Sequence, residues 1–363
     1  MPRRGVIPVF VTAVALGVLL GGSAEAGNPR ASCRLVELAP PGPRGDLLRV
    51  VDRTNGVVSI DSARATGVIR IFSNALRDFP DCTGGQPTVA NVDRIELRTN
   101  STPFLDALGP GATSEPSGSE IEMIVREDYR EPVLNVLGTR AGETMVVGRL
   151  GARRVGVNVN SDSDGARQDA DVVLVSGDTR NATVRVNGTS GSDELSLLGG
   201  GGFSGPPGVA TALLAGGPDD DLLRGGPAAE RFNGGEGDDR TLGGRGADAI
   251  SIGAGRDFVR AGKGSDEIRK SDADDEEPDR VLAGPGNDRV DSYFGGDIIR
   301  RGQAPRGGLP GDSIDCGRGR DLALVDSGDR RRACEKVFAF PPGSDVDICG
   351  FRPCQRRPAS RRG

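Results

Sequence analysis

The sequence predicts an all-β protein: a parallel β-roll, that is, a solenoid of nine-residue repeats, preceded by an irregular β-solenoid or β-sandwich-like N-terminal region. Three observations predict it. Residues 234–251 read GGEGDDRTLGGRGADAIS, one nine-residue pattern written twice, with glycine at the first, second and fourth places and a carboxylate at the sixth. The residue two places after that carboxylate is apolar in nearly every copy. Residues 28–187 carry many short Val/Ile/Leu stretches separated by Gly or Asp turns and show no helical periodicity.

The acidic sixth position marks the repeat frame. Asp221, Glu230, Asp239, Asp248, Asp257 and Asp266 sit nine apart. After the acidic insertion KSDADDEE the frame resumes at Asp279, Asp288 and Asp297. A second insertion around Gln303–Arg306 precedes Asp312 and Asp321. An outlying copy, GTSGSDELS, contributes Asp193. The apolar partners are Leu195, Leu223, Phe232, Ile250, Val259, Ile268, Val281, Val290, Ile299, Ile314 and Ala323, with Thr241 the polar departure. A period of nine suits a solenoid whose half-coil is one turn and one short strand. The apolar position then points inward and stacks on the next coil. Two repeats close a coil, so Asp221 lies over Asp239, Asp239 over Asp257, and Asp248 over Asp266. Glycines such as Gly234, Gly235, Gly237, Gly243, Gly244 and Gly246 permit positive φ and close backbone approach, and leave the turn carbonyls exposed.

Carboxylates stacked one strand spacing apart, about 4.8 Å, repel one another. No basic residue has a fixed place in the repeat to neutralise them. A hard divalent cation between coils would, drawing on carboxylates and turn carbonyls, and calcium (Ca2+) suits a flexible cage of about six to eight oxygens better than magnesium does.

The repeats GGEGDDRTL, GGRGADAIS, AGKGSDEIR and AGPGNDRVD resemble the hemolysin-type calcium-binding nonapeptide of RTX proteins. The resemblance covers roughly residues 188–324. It implies a parallel β-roll with calcium in rows along both turn edges, bound through the sixth-position carboxylates and the turn glycines. The copies depart from it in places. Asp219 replaces the fourth-position glycine, GGPAAERFN carries Ala228 and Glu230, and SYFGGDIIR lacks both leading glycines. A second candidate metal loop, NSDSDGARQDAD, spaces Asn160, Asp162, Asp164 and Asp171 as oxygen ligands around Gly165. An acidic surface turn is the equal alternative there.

The first 26 residues, with Arg3 and Arg4, an apolar run over Val6–Leu20 and Ala24-Glu25-Ala26, read as a cleaved signal peptide. This predicts a secreted protein with no membrane span after cleavage. Six cysteines in an exported chain predict disulfides, and sequence proximity favours Cys33–Cys82, Cys316–Cys334 and Cys349–Cys354. Residues 27–187 form the β-rich N-terminal region, 188–324 the roll and 325–348 a C-terminal cap. The basic tail 349–363 reads as solvated, with contact to a cell-envelope polymer or extracellular matrix as the other possibility.

The chain has no histidine and a net charge of −6, which argues against histidine-based catalysis and against nucleic acid as a partner. The function these features predict is secreted calcium binding in a structural or interaction role, without catalysis. The alternatives are a secreted carbohydrate-active hydrolase with an accessory repeat module, for which Glu120, Glu122, Glu127 and Asp128 are the clustered carboxylates, and an adhesin or surface-layer component.

Overall fold

The computed structural model describes residues 31–37, 46–53, 57–62, 68–73, 82–100, 102–106, 121–127, 130–159, 171–200, 203–270, 277–291, 312–326, 329–340, 348–349 and 352–353. These residues are all-β, with a single 3-10 turn at Thr179–Asn181. Two long sheets, of 14 and 12 strands, face each other across one apolar core, and a short two-stranded sheet lies near the C-terminus.

The repeat region folds as its period requires. Consecutive half-coils lie in opposite sheets, and each strand pairs in parallel with the strand one full coil away. In the larger sheet Leu222–Arg224, Arg240–Arg245 and Phe258–Lys263 are successive neighbours, with Thr241 opposite Val259. In the other, Glu230–Glu236, Ala249–Ala254 and Glu267–Arg269 stack so that Phe232, Ile250 and Ile268 form one inward column. The column continues through Val290 to Ala323, and its members are almost fully buried. Each buried Val, Leu or Ile contributes about 1.5–3 kcal/mol, and a core without tryptophan relies on many such small columns.

Glycine is required where coils approach most closely. Gly235 (φ +128°) and Gly255 (φ +121°) stand at the second and fourth places of their turns, and an added Cβ would lie 1.8 Å from the Gly217 carbonyl oxygen and 2.3 Å from that of Gly237. Asp219, which replaces a fourth-position glycine, keeps the same conformation at φ 80° and accepts a hydrogen bond from the Gly191 N–H on its Oδ2 (2.9 Å). The first place differs, because Ile252, Ala261, Ala283 and Cys316 occupy it with buried side chains.

The N-terminal half continues the same two sheets, so it is a solenoid and not a separate sandwich. Asp46–Asp52, Val92–Thr99, Glu122–Glu127 and Val172–Ser176 run in parallel through the larger sheet. Val57–Ser62, Thr102–Asp106, Val133–Leu137 and Thr183–Asn187 do so through the smaller one. Its irregularity comes from antiparallel strands. Ala31–Glu37 and Ile69–Ser73 cap the two sheets, and Thr144–Gly151 with Arg154–Val159 forms an inserted hairpin. Disulfides join Cys33 to Cys82 and Cys316 to Cys334, at the two ends of the core. Cys354 and the side chain of Cys349 lie outside the described residues. The segment expected to form a cap is a further coil, with Arg330–Arg332 and Lys336–Phe340 pairing onto the ends of the two sheets.

The close approach at the fourth place predicts that Gly255→Ala, forced to keep positive φ against a facing carbonyl, loses at least about 1–2 kcal/mol. Ala254→Gly, one residue away, is expected to lose less, about 0.5–1 kcal/mol. Denaturant midpoints of the two variants check this.

Candidate metal centre

Each turn delivers its sixth-position carboxylate to the same place relative to the coil before it. The backbone N–H of Asp193 donates to Oδ1 of Asp221 (2.7 Å), Asp221 to Asp239 (2.9 Å), Asp239 to Asp257 (2.8 Å), Asp257 to Asp279 (3.0 Å) and Asp279 to Asp312 (2.9 Å). Along the other edge, Glu230 donates to Asp248 (2.9 Å), Asp248 to Asp266 (2.9 Å), Asp266 to Asp288 (2.9 Å) and Asp288 to Asp321 (2.8 Å). The carboxylates therefore stand in two files, one along each turn edge.

These bonds use one oxygen of each accepting aspartate, and Oε1 of Glu230 accepts the Ala228 N–H instead (3.1 Å). The other is buried and accepts no hydrogen bond in Asp193, Asp221, Glu230, Asp239, Asp248, Asp266, Asp288 and Asp321. Burial without a partner disfavours the charged form. Desolvation, the largest cause, raises Asp193, Asp239, Asp288 and Asp312 from 3.8 to about 7 and Asp221 to about 6, while the backbone N–H each accepts pulls the other way. Glu230 and Asp248 are raised as well, first by burial.

The unused oxygens have carbonyl neighbours. At Gly188, Gly216, Gly234 and Gly243, the space left by the missing side chain is flanked by the carboxylate of the same repeat and a carbonyl of the next coil. An added Cβ would lie 1.9–2.8 Å from Oδ2 of Asp193, Asp221, Asp239 or Asp248, and 2.3–2.9 Å from the carbonyl oxygen of Gly216, Gly234, Ile252 or Ala261. Gly235, Gly237, Gly244 and Gly246 take positive φ and press against backbone of the preceding coil. Among the described residues no three His, Cys, Asp or Glu side chains converge as a metal-binding cluster. A cation here would have to draw on carboxylate and carbonyl oxygens together. The conjunction of orphaned carboxylate oxygens and convergent carbonyls fits a hard, oxygen-seeking cation.

Several carboxylates that the period does not reveal belong to the same system. The Glu143 N–H donates to Oδ1 of Asp193 (2.7 Å), and Oε2 of Glu143 lies beside Gly138 as the aspartates lie beside their glycines. GTRAGET, fifty residues before GTSGSDE, is therefore a degraded copy, recognisable only by that alignment. At the far end, Asp312 donates to Asp329 (3.0 Å) and Asp321 to Glu335 (2.8 Å), outside the nine-residue frame. Asp220 and Asp238, at the fifth place, accept the Asp238 and Arg256 N–H groups (2.8 and 2.9 Å) and form an outer ladder.

Other candidates separate. Asp297 lies outside the described residues, and Asp279 and Asp288 bond directly to Asp312 and Asp321. Asn160, Asp162 and Asp164 also lie outside them. Asp171 is buried and accepts the Val159 N–H on Oδ2 (2.6 Å). Glu122 pairs with Arg94 (2.6 Å) on the exposed side of its strand. Glu127, five residues on, points inward, accepts the Val133 N–H (3.1 Å) and is raised by burial to about 8. The two therefore do not face each other. Glu120 and Asp128 are not among the described residues.

No family model matches the chain, no curated protein matches it, and no solved structure matches it.

The pKa directions carry a definite sign. A carboxyl raised in the folded state stabilises the fold fully below its unfolded value, about 3.9, and loses that contribution as pH rises through its folded value, here about 6–7. In chelator, the denaturant midpoint is therefore expected to rise on acidification from pH 7.5 to 5. Denaturant melts at the two pH values, with chelator present throughout, check the sign.

Proposed function

We propose that this chain is a secreted calcium-ion-binding protein of the RTX, hemolysin-type repeat kind, with a structural or interaction role and no catalytic one. The observation that carries the reading is the recurrence, coil after coil, of a buried carboxylate oxygen without a hydrogen-bond partner. The residues that would hold calcium are Asp193, Asp221, Asp239 and Asp248, together with the carbonyls of Gly216, Gly234, Ile252 and Ala261. Glu230, Asp257, Asp266, Asp288, Asp312 and Asp321 extend the two files. Bound calcium supplies positive charge where the folded chain concentrates negative charge.

Two features support export: the N-terminal sequence, which resembles a signal peptide, and the disulfides at both ends of the core. Extracellular calcium modules bind with Kd of about 10⁻⁴–10⁻³ M. Many such sites linked to one folding event make the response to calcium steep.

Removing calcium with chelator is expected to weaken the β signal in circular dichroism, and millimolar calcium to restore it. A spectrum and melting temperature indifferent to both treatments would sink the reading. Asp239→Asn adds a test of opposite signs. The amide oxygen still accepts the Asp221 N–H, but the buried charge is gone. Without calcium the variant is expected to gain about 1–3 kcal/mol, the cost of an unsatisfied buried group. With calcium it is expected to gain less than the native chain does.

A further inference from the structure

We infer that Lys270 is a built-in counter-cation. Its ammonium closes one step of the carboxylate file in place of a metal ion, so the coil contact between Asp279 and Asp312 does not depend on calcium. This rests on the calcium reading only for the contrast with the other steps.

The geometry centres on that step. Lys270 Nζ lies 3.1 Å from Oδ2 of Asp279 and 3.9 Å from Oδ1 of Asp312. Oδ2 is the carboxylate oxygen left over elsewhere in the files, and Oδ1 of Asp312 is the oxygen that accepts the Asp279 N–H. All three side chains are buried, at 6, 1 and 7% exposure, so this is not a surface pair worn down by solvent. The ammonium also donates to the Glu277 carbonyl (3.2 Å), and the Lys270 backbone N–H donates to the Asp291 carbonyl (2.9 Å), which fixes the stem on the sheet.

The sequence shows how the lysine gets there. Asp279 follows Asp266 by thirteen residues where the repeat allows nine, and Lys270 stands at the start of that lengthened segment, directly after the strand Glu267–Arg269. The next step, from Asp279 to Asp312, spans 33 residues where an ordinary coil spans 18. The chain thus places its own positive charge at Asp279, which has a lengthened step on either side, 22 residues from Asp257 and 33 to Asp312. A lysine ammonium is compact, carries several donors and reaches on a flexible stem, which suits it to stand in for an ion.

The test compares the native chain with Lys270→Met, which keeps the length of the apolar stem and removes the ammonium. Calcium is counted by equilibrium dialysis. Exchange of the amides in Arg280–Leu282 and Ser313–Asp315 is measured in chelator and in calcium. The expected result is one more calcium bound by Lys270→Met, with exchange in those two strands at least tenfold faster in chelator and slowed again by calcium. A variant that binds the native number of calcium ions, or exchanges at the native rate in chelator, overturns the inference. If the native chain binds no calcium, the proposed function falls, and the exchange rates in chelator still decide the role of Lys270. If Lys270→Met fails to fold, the double variant Lys270→Met/Asp279→Asn, which removes both charges, is expected to fold and to recover protection without calcium. A double variant no better than the single one also overturns it.

Discussion

Everything in the repeat region depends on the hydrogen bond between the backbone N–H of one sixth-position residue and the carboxylate one coil further on. A charged acceptor makes it stronger than a neutral bond, and it repeats along both edges of the solenoid. It fixes the rise between coils, because each turn can bond to the next only when strands are in register. It also fixes a problem in place. The carboxylate that satisfies an N–H with one oxygen buries the other, and the next coil brings another carboxylate alongside. Good backbone bonding and accumulated negative charge are one structural feature.

The remaining parts follow from that constraint. Coils held so closely leave Gly235 and Gly255 facing carbonyl oxygens where a Cβ would be, while Asp219 holds the same positive φ with its side chain turned to the Gly191 N–H. The core between the sheets is filled by columns such as Phe232, Ile250 and Ile268. Such a core needs closed ends. One is held by Cys33–Cys82 under antiparallel strands and the other by Cys316–Cys334 beneath the last coil. At that last coil the buried column of the larger sheet stops at Ile314, and Arg331, the residue opposite it, is exposed.

Much of this was legible in the sequence because a nine-residue period is a strong signal. The stacking of Asp221 on Asp239 and Asp257 followed from counting, as did the inward column. What escaped had lost the period. Glu143 carries glutamate for aspartate, fifty residues from its partner Asp193. Asp329 and Glu335 follow steps of 17 and 14 residues. Lys270 escaped for a different reason. A single lysine in an acidic insertion reads as solvated, and only the folded chain brings its ammonium to Asp279. The N-terminal half left solenoid and sandwich open, since short apolar strands suit both. Parallel pairing of Val92–Thr99 with Glu122–Glu127 decided between them.

On the proposed reading, the unused oxygens of these carboxylates are cation ligands. Crystals grown in calcium, measured at a long wavelength where calcium scatters anomalously, test it most directly. The expected result is anomalous peaks about 2.3–2.6 Å from Oδ2 of Asp193, Asp221 and Asp239, the distance calcium keeps from oxygen. Featureless anomalous maps there, with those oxygens instead hydrogen-bonded to water or to protein donors, would contradict it.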